Sequence, residues 1–154
     1  MKGATMQQHE PFIEAAIAEA LASKADGGQP FGAVLVKDGE VVARGRNRVN
    51  QDGDPTSHAE LNLVREFCAS RRQADLRGYA VYASFEPCAM CAAAIAWAGV
   101  SLVVYGADAG DLPSAYPRRA NPLSCAEVLE RFGSEAAVAP HVLRAAAAAV
   151  FGGD

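Results

Sequence analysis

Four side chains in two short segments could together hold a metal ion and carry out acid–base chemistry. The first segment is His58-Ala59-Glu60, and the second, about thirty residues later, is Pro87-Cys88-Ala89-Met90-Cys91. Imidazole and thiolate groups are ligands that zinc prefers, and His58, Cys88 and Cys91 supply three of them. Zinc held by three side chains keeps one position open for water, which distinguishes catalytic from structural sites. The pattern therefore predicts a catalytic zinc site.

Glu60 is the predicted proton carrier of this site. It stands two positions after His58, so the two side chains do not share one helix face and Glu60 does not easily join the ligand set. Zinc lowers the pKa of a bound water toward neutrality, and a neighbouring carboxylate can take the proton and pass it on. Such an arrangement would allow water to attack an amino-bearing ring carbon with loss of ammonia, which is hydrolytic deamination.

Other interpretations of both segments stay open at this point. Ser57-His58-Ala59-Glu60 fits a capping box, in which Glu60 would only hydrogen bond to the backbone at a helix start. A Cys-x-x-Cys pair at a helix start after a strand also fits a redox site or a structural zinc site. A catalytically silent, zinc-stabilised domain is therefore a further hypothesis, in which Glu60 is dispensable.

Composition favours one globular domain. The chain has 154 residues, 51% hydrophobic and 21% charged, with a formal net charge of −4. We therefore expect a single domain over residues 1–154, without the basic surface that would favour a nucleic-acid partner. Neither a signal peptide nor a membrane-spanning stretch is visible, and a cytoplasmic location is expected. Cys68 is expected to be a buried inert thiol, and Cys125 receives no role.

Hydrophobic periodicity predicts the elements that must position these residues. Apolar residues recur at helical spacing in the predicted helices, which are Pro11–Lys24, His58–Arg72, Cys88–Ala98, a short one near Ser124–Phe132, and a last one from about His141. The predicted strands are Phe31–Val36, Glu40–Arg44, Tyr79–Phe85, Ser101–Tyr105 and Ala136–Ala139. Loops are predicted at Asn47–Ser57 and Asp108–Asn121. Strands that alternate with helices indicate an α/β layered domain.

With these motifs the chain resembles the cytidine deaminase-like superfamily, within it the branch of guanine, cytosine and tRNA-adenosine deaminases. The similar segments lie within roughly residues 9–106 and are Pro30–Val36, Asn47-Arg48, Asp54–Glu60 and Glu86–Cys91. The resemblance implies a three-layer α/β/α sandwich with a five-stranded mixed sheet, and a homodimer. It also implies one zinc ion per chain on His58, Cys88 and Cys91, with Glu60 as proton shuttle.

The same resemblance implies how a substrate ring would be held. Asn47 is expected to hydrogen bond to the ring, Phe31 to pack on it, and the Ala59 backbone to help orient it. Trp97, the only tryptophan, is a candidate pocket wall, with packing in the core as the alternative.

The resemblance fades after Gly106. Residues 107–154 are expected to form a divergent loop and helices that cover the site. The Gly-Phe-Asp-Asp segment that guanine deaminases usually carry in this region is absent. Asp108, Asp111 and Tyr116 stand nearby without an assigned role.

Two substrate classes stay open. The leading hypothesis is a zinc-dependent aminohydrolase that acts on a small free base or nucleoside, a guanine-like purine or a related aminopyrimidine or triazine. The alternative is a tRNA-specific adenosine deaminase. It is less favoured because Ala107–Asp111 is acidic where phosphates would approach. The arginines that could instead contact phosphates are Arg44, Arg46, Arg48, Arg118 and Arg119.

Overall fold

A five-stranded sheet in the order β2-β1-β3-β4-β5 forms the centre of the computed structural model, which describes residues 4–116 and 123–152. The strands are β1 (Gly32–Lys37), β2 (Glu40–Arg46), β3 (Ala80–Phe85), β4 (Leu102–Ala107) and β5 (Ala137–Ala139). The helices are α1 (Met6–Ala25), α2 (Val49–Asp52), α3 (Ala59–Arg71), α4 (Ala89–Ala98), α5 (Cys125–Arg131) and α6 (Arg144–Ala149), and Ala109–Asp111 forms a 3-10 turn.

Strand directions bring several loops to one edge of the sheet. Strand β1 is antiparallel to both β2 and β3, whereas β3, β4 and β5 are parallel to one another. The carboxyl ends of β2, β3, β4 and β5 therefore meet at the edge where β1 begins, which we call the site edge. Open α/β sheets bind their ligands at such an edge.

Alternate residues of the buried strands face two separate apolar clusters. Leu35, Val81 and Val103 face a cluster completed by α3, α4 and α5. Their neighbours Val34 and Tyr82 face the other cluster, together with Ile13 of α1 and residues close to α6. The period of two along each strand explains this division, because successive side chains point to opposite faces. The predicted three-layer sandwich with a five-stranded mixed sheet is confirmed.

Several element boundaries differ from the prediction. Helix α1 begins at Met6 instead of Pro11, because Thr5 and Gln8 form a capping box and the proline is accommodated inside the helix. The predicted loop over 47–57 contains the short helix α2. The predicted loop over 108–121 includes the 3-10 turn, and its residues 117–121 lie outside the described residues. None of the described helices is long and apolar enough to cross a membrane.

Candidate metal and substrate site

Three of the predicted ligands come together at the site edge. Ligand atoms of His58, Cys88 and Cys91 all lie within 4.8 Å of one another. The Nδ1 atom of His58 is 3.5 Å from the Sγ atom of Cys88. Usual Zn–N and Zn–S bond lengths in a tetrahedral site predict a nitrogen–sulfur separation of about 3.6 Å. The nitrogen and two sulfurs therefore fit a zinc ion in both type and spacing.

Helix starts position these ligands. His58 is the N-cap of α3 and Cys88 is the N-cap of α4, so both ligands stand where free amide groups create positive partial charge. Cys91 is three residues after Cys88, on the same face of the first turn, and it is fully buried. The Cys-x-x-Cys spacing thus turns both sulfurs toward His58.

The two cysteines titrate as a pair. Hydrogen bonds from Cys91 and from His58 lower the pKa of Cys88 to about 4. Its hydrogen bond to Cys88, together with burial, raises the pKa of Cys91. The two thiols share a hydrogen bond, and zinc binding must release the protons that the pair still holds because the metal ligand is the deprotonated sulfur.

Glu60 lies beside the ligands and is buried, with 7% of its surface exposed. Burial, and secondarily the nearby Cys88, raises the pKa of Glu60 to about 7. The Cys91 side chain is within hydrogen-bonding reach of this carboxyl group. A zinc ion would act in the opposite direction, since a cation favours the carboxylate. The arrangement gives the site an acid–base group close to the metal position.

The capping-box interpretation of Glu60 is wrong. The N-cap of α3 is His58, and no side chain caps this helix. Ser57 instead donates a hydrogen bond to Asp52, and Asn62 donates to Ser57 and to the carbonyl of Arg46. These bonds tie the loop before α3 to the end of β2, so Glu60 is not needed to hold the helix start.

Asn47 and Phe31 stand at adjacent strand ends of the site edge. The backbone N–H of Asn47 donates to the carbonyl of Phe31, and the Asn47 side chain is buried. Its Oδ1 accepts from the backbone N–H of Val49 at 3.0 Å, which fixes the orientation of the amide group. Its Nδ2 donates to no group among the described residues, so this amide presents a donor. An atom with a lone pair is the partner that such a donor recognises.

Ala59 lies between His58 and Glu60 and is fully buried. It is the first residue of α3, where backbone N–H groups have no partner inside the helix. Its carbonyl oxygen is so close to Gly45 that a Cβ atom there would lie only 2.5 Å from it. Gly45 is thus the point at which β2 and the start of α3 touch.

Trp97 is not brought to the metal ligands within this chain. It lies near the end of α4, about 9 Å along the helix axis from Cys91. It is 81% exposed and its ring contacts Phe132 edge-on. The exposure of Trp97 contradicts packing in the core, and its role as a pocket wall stays a prediction.

An aromatic cluster that the sequence did not indicate surrounds Phe31. Its members are Phe31, Phe85, Tyr116 and Phe151. Three of them lie far from Phe31 in the chain and follow no periodic pattern. The sequence offers only one weak signal of this cluster, which is that Phe85 precedes the predicted metal ligand Cys88 by three residues.

The arginines near the site are paired with carboxylates of the same chain. Arg44 and Arg46 of β2 both contact Glu19, and Arg46 also contacts Asp26. Arg48 pairs with Asp52 four residues later. Arg118 and Arg119 lie outside the described residues.

After β4 a second ionic cluster links the 3-10 turn to α6. His141 Nε2 lies 2.8 Å from Asp108, and Arg144 contacts both Asp108 and Asp111. Asp108 and Asp111 thus tie the C-terminal segment to the end of β4. Cys125 is fully buried at the start of α5, where its N–H donates to Glu86, and burial raises its pKa. Cys68 is half-buried and not buried as expected, and this partial burial raises the pKa of its thiol.

The layered sheet and the histidine–dicysteine cluster define a zinc-binding α/β domain. The sequence profile of the cytidine and deoxycytidylate deaminase zinc-binding region matches residues 6–107. The chain belongs to this family of zinc-dependent deaminases. His58, Cys88 and Cys91 are the residues that would hold the zinc ion.

Relatives with different substrates match about equally well. The chain is 42% identical over 108 residues to the guanine deaminase of Bacillus subtilis, covering 70% of this chain and 69% of that one. It is also 42% identical over 103 residues to the tRNA-specific adenosine deaminase of Agrobacterium fabrum, with coverage of 67% and 68%.

Similar solved structures also include deaminases of both a free base and tRNA. Guanine deaminase from Nitrosomonas europaea superposes with a TM-score of 0.81 at 27% identity, covering 92% of this chain and 81% of the other. A structure from work on tRNA:A34 deaminases superposes with a TM-score of 0.76 at 33% identity, covering 91% and 98%. Similarity alone therefore does not separate a free base from tRNA.

Proposed function

We propose that this chain hydrolytically deaminates a small free amino-heterocycle, a guanine-like purine or a related aminopyrimidine or triazine. The observation that carries the proposal is the buried Glu60 beside three zinc ligands at one edge of the sheet. When bound, zinc would supply activation of a water molecule at neutral pH. In the net reaction a C–O bond forms, the C–NH2 bond breaks, and ammonia leaves.

Glu60 would move the protons of this reaction. It would accept a proton from the attacking water, deliver one to the ring nitrogen, and help to protonate the departing amine. Its burial supports this role, because an enclosed carboxyl group exchanges protons with the substrate instead of with bulk solvent. A positioned acid–base group of this kind accelerates a reaction by about 10²–10⁴-fold.

Asn47, Phe31 and Ala59 would hold the ring. The Nδ2 group of Asn47 would donate a hydrogen bond to a ring carbonyl or ring nitrogen, while Phe31 would pack against the ring face. The N–H of Ala59, in the first turn of α3 where amide groups have no partner inside the helix, would add a further donor. These groups suit a planar heterocycle that offers acceptor atoms on one side.

The internal ion pairs favour a small substrate over tRNA. Arg44 and Arg46 already share Glu19, and Arg48 pairs with Asp52. An RNA phosphate would have to compete with these carboxylates for the arginines. Phosphate contacts dominate the affinity of nucleic-acid binding, so the paired arginines reduce what RNA would gain here.

A tRNA-specific adenosine deaminase is the second candidate. It is supported by the 42% identity to such an enzyme over two thirds of the chain. This candidate predicts binding of a tRNA that weakens steeply with added salt, because each phosphate contact releases counterions. A small neutral ring predicts turnover that is nearly independent of salt.

Ammonia release from a substrate panel tests the proposal. Zinc-loaded protein would be incubated with guanine, 8-oxoguanine, adenine, cytosine, isocytosine, ammeline, guanosine, adenosine, cytidine and a tRNA transcript. We expect ammonia from at least one free base at 50 and at 300 mM salt. Release from the tRNA alone would support the second candidate, and release from no member would contradict both.

A further inference from the structure

A set of hydrogen bonds surrounds Ser57, the residue that directly precedes the metal ligand His58. The Ser57 hydroxyl donates to the carboxylate of Asp52 at 2.9 Å and accepts from Nδ2 of Asn62 at 3.0 Å. The same Nδ2 group also donates to the carbonyl oxygen of Arg46, again at 3.0 Å. Ser57 is fully buried and Asn62 is 2% exposed. We call Asp52, Ser57 and Asn62 the Ser57 network.

The side-chain polar atoms of Ser57 and Asn62 all have partners. Nδ2 of Asn62 donates two bonds, and its Oδ1 accepts one from Arg65 at 2.7 Å. The Ser57 carbonyl oxygen accepts from the backbone N–H of Arg48 at 2.8 Å. Buried polar groups with a full set of partners hold one arrangement, because a displacement would leave a polar atom unpaired. Ser57 is therefore fixed through both its side chain and its backbone.

The Ser57 network joins the metal side of the site to its substrate side. His58 follows Ser57 directly and is the N-cap of α3. Asn47, the predicted ring donor, stands between Arg46 and Arg48, and the backbones of both these neighbours bond to the network. The positions of His58 and Asn47 thus depend on the same hydrogen bonds. A ring that must meet the metal position and the amide donor together needs their separation to stay constant.

Asp52 connects the Ser57 network to the protein surface. Its carboxylate accepts from Ser57 and also forms an ion pair with Arg48 at 3.1 Å. The Asp52 side chain is 35% exposed, so its replacement opens no cavity in the core. Asparagine at this position would keep an oxygen acceptor for the Ser57 hydroxyl, whereas alanine would remove it. The network can therefore be weakened from the surface as well as at its centre.

We propose that Ser57 is a positioning residue, which holds the zinc ligand His58 at a fixed place relative to Asn47. The part that concerns His58 requires only the zinc site of the family. The part that concerns Asn47 rests on the proposed function. Loss of the Ser57 hydroxyl would leave one N–H of Asn62 without an acceptor in the core and would remove a donor from Asp52. Both ends of the site would then lose the constraint that fixes their separation.

The zinc affinity of three variants tests the part that concerns His58. Competition with a chromophoric chelator would give the zinc dissociation constant of the full chain. For Ser57→Ala we expect this constant to rise about ten-fold, as when a group that orients a metal ligand is lost. Asp52→Ala should move it in the same direction, and Asp52→Asn should stay close to wild type. With cobalt(II) in place of zinc, the absorption bands report the ligand geometry and should change only in the two alanine variants.

Ser101→Ala is the matched control, because it removes another serine hydroxyl that holds a loop. The Ser101 hydroxyl accepts from the backbone N–H of Gly78 at 2.7 Å. Both residues stand just before β4 and β3 begin, at the opposite edge of the sheet from the metal ligands. The control should keep the zinc dissociation constant and the cobalt spectrum of wild type. A purely structural role of Ser57 would lower the melting temperature of Ser57→Ala without changing either metal measurement.

Kinetics at saturating zinc test the part that concerns Asn47. With the free base that wild type uses, Ser57→Ala should raise KM. We expect kcat/KM to fall by about ten-fold, less than the 10²-fold that a misplacement of about 1 Å causes. In an Asn47→Ala background the same substitution should raise KM by a smaller factor, since the ring donor is already absent.

The outcomes separate the inference from the function on which it partly rests. Equal zinc dissociation constants of Ser57→Ala and Ser101→Ala would overturn the inference. If Ser57→Ala does not fold, equal constants of Asp52→Ala and Asp52→Asn would overturn it instead. A weaker zinc affinity with an unchanged KM would show that the part about Asn47 is wrong. If wild type acts on no free base, the proposed function fails, and the zinc measurements still decide whether Ser57 positions His58.

Discussion

Gly45 contacts the start of α3, where His58 and Glu60 stand. Replacing Gly45 with alanine should displace this segment. A Cβ atom at Gly45 would lie 2.5 Å from the carbonyl oxygen of Ala59 and 3.0 Å from the Cβ of Leu63, whereas ordinary contact begins at 3.4 Å. The start of α3 must therefore move away by roughly 0.9 Å. Ala59 stands between His58 and Glu60, so the movement reaches both.

The expected effects of Gly45→Ala follow from this displacement. Overpacking of this size costs about 1–3 kcal/mol of unfolding free energy. A misplacement of about 1 Å in a catalytic geometry lowers the rate by about 10²-fold. Urea denaturation would measure the first effect. Ammonia release at saturating zinc would measure the second.

Gly39→Ala is the control for a loss of stability that does not displace α3. Gly39 lies in the β1–β2 hairpin at φ +78, and no atom lies within 4 Å of its Cβ position. Alanine there costs about 1 kcal/mol through backbone strain and leaves α3 in place. Gly45→Ala should lose activity and Gly39→Ala should keep it. Equal activity of both variants at full zinc occupancy would refute the reasoning.

Three further predictions concern single side chains. Cys88→Ala should lose zinc and activity together, because it removes one of three ligands; full zinc content by atomic absorption would contradict the ligand assignment. Asn47→Ala should raise KM while zinc is retained, and an unchanged KM would remove Asn47 from ring binding. Burial lowers the pKa of His9, which bonds Tyr82, below its usual 6.5. The unfolded chain therefore binds more protons there, and stability falls as pH drops below 6.5. His9→Gln should lose less stability between pH 7.5 and 5.5 in thermal unfolding, and an equal loss would contradict this cause.

The metal cluster was predictable from local spacing. Cys88 and Cys91 are three apart at a helix start, so they share a face in any α/β arrangement. His58 follows a loop after a strand, and parallel strands bring such loops to the same edge. The alternation of strands with helices along the chain likewise predicted an α/β layered domain, and the sheet is covered on both faces.

The substrate side of the site was not predictable in the same way. The contacts of Phe151 join positions far apart in the chain and depend on how α6 packs, which no periodic pattern encodes. The need for glycine at Gly45 comes from a close approach between β2 and α3. The pairing of Arg44 and Arg46 with Glu19 depends on the packing of α1 on the sheet. Because of this pairing, the two arginines are less available to phosphates than the sequence alone suggested. Each of these is a tertiary contact between elements that were individually recognised.

The central claim is that Glu60 moves protons beside a zinc ion held by His58, Cys88 and Cys91. Its most direct test measures zinc content and ammonia release of wild type and Glu60→Gln with the free base that wild type uses. The account predicts one zinc ion per chain in both proteins and a rate about 10²–10⁴-fold lower in the variant. Ammonia release by Glu60→Gln within ten-fold of wild type would contradict the account, and so would loss of zinc from the variant.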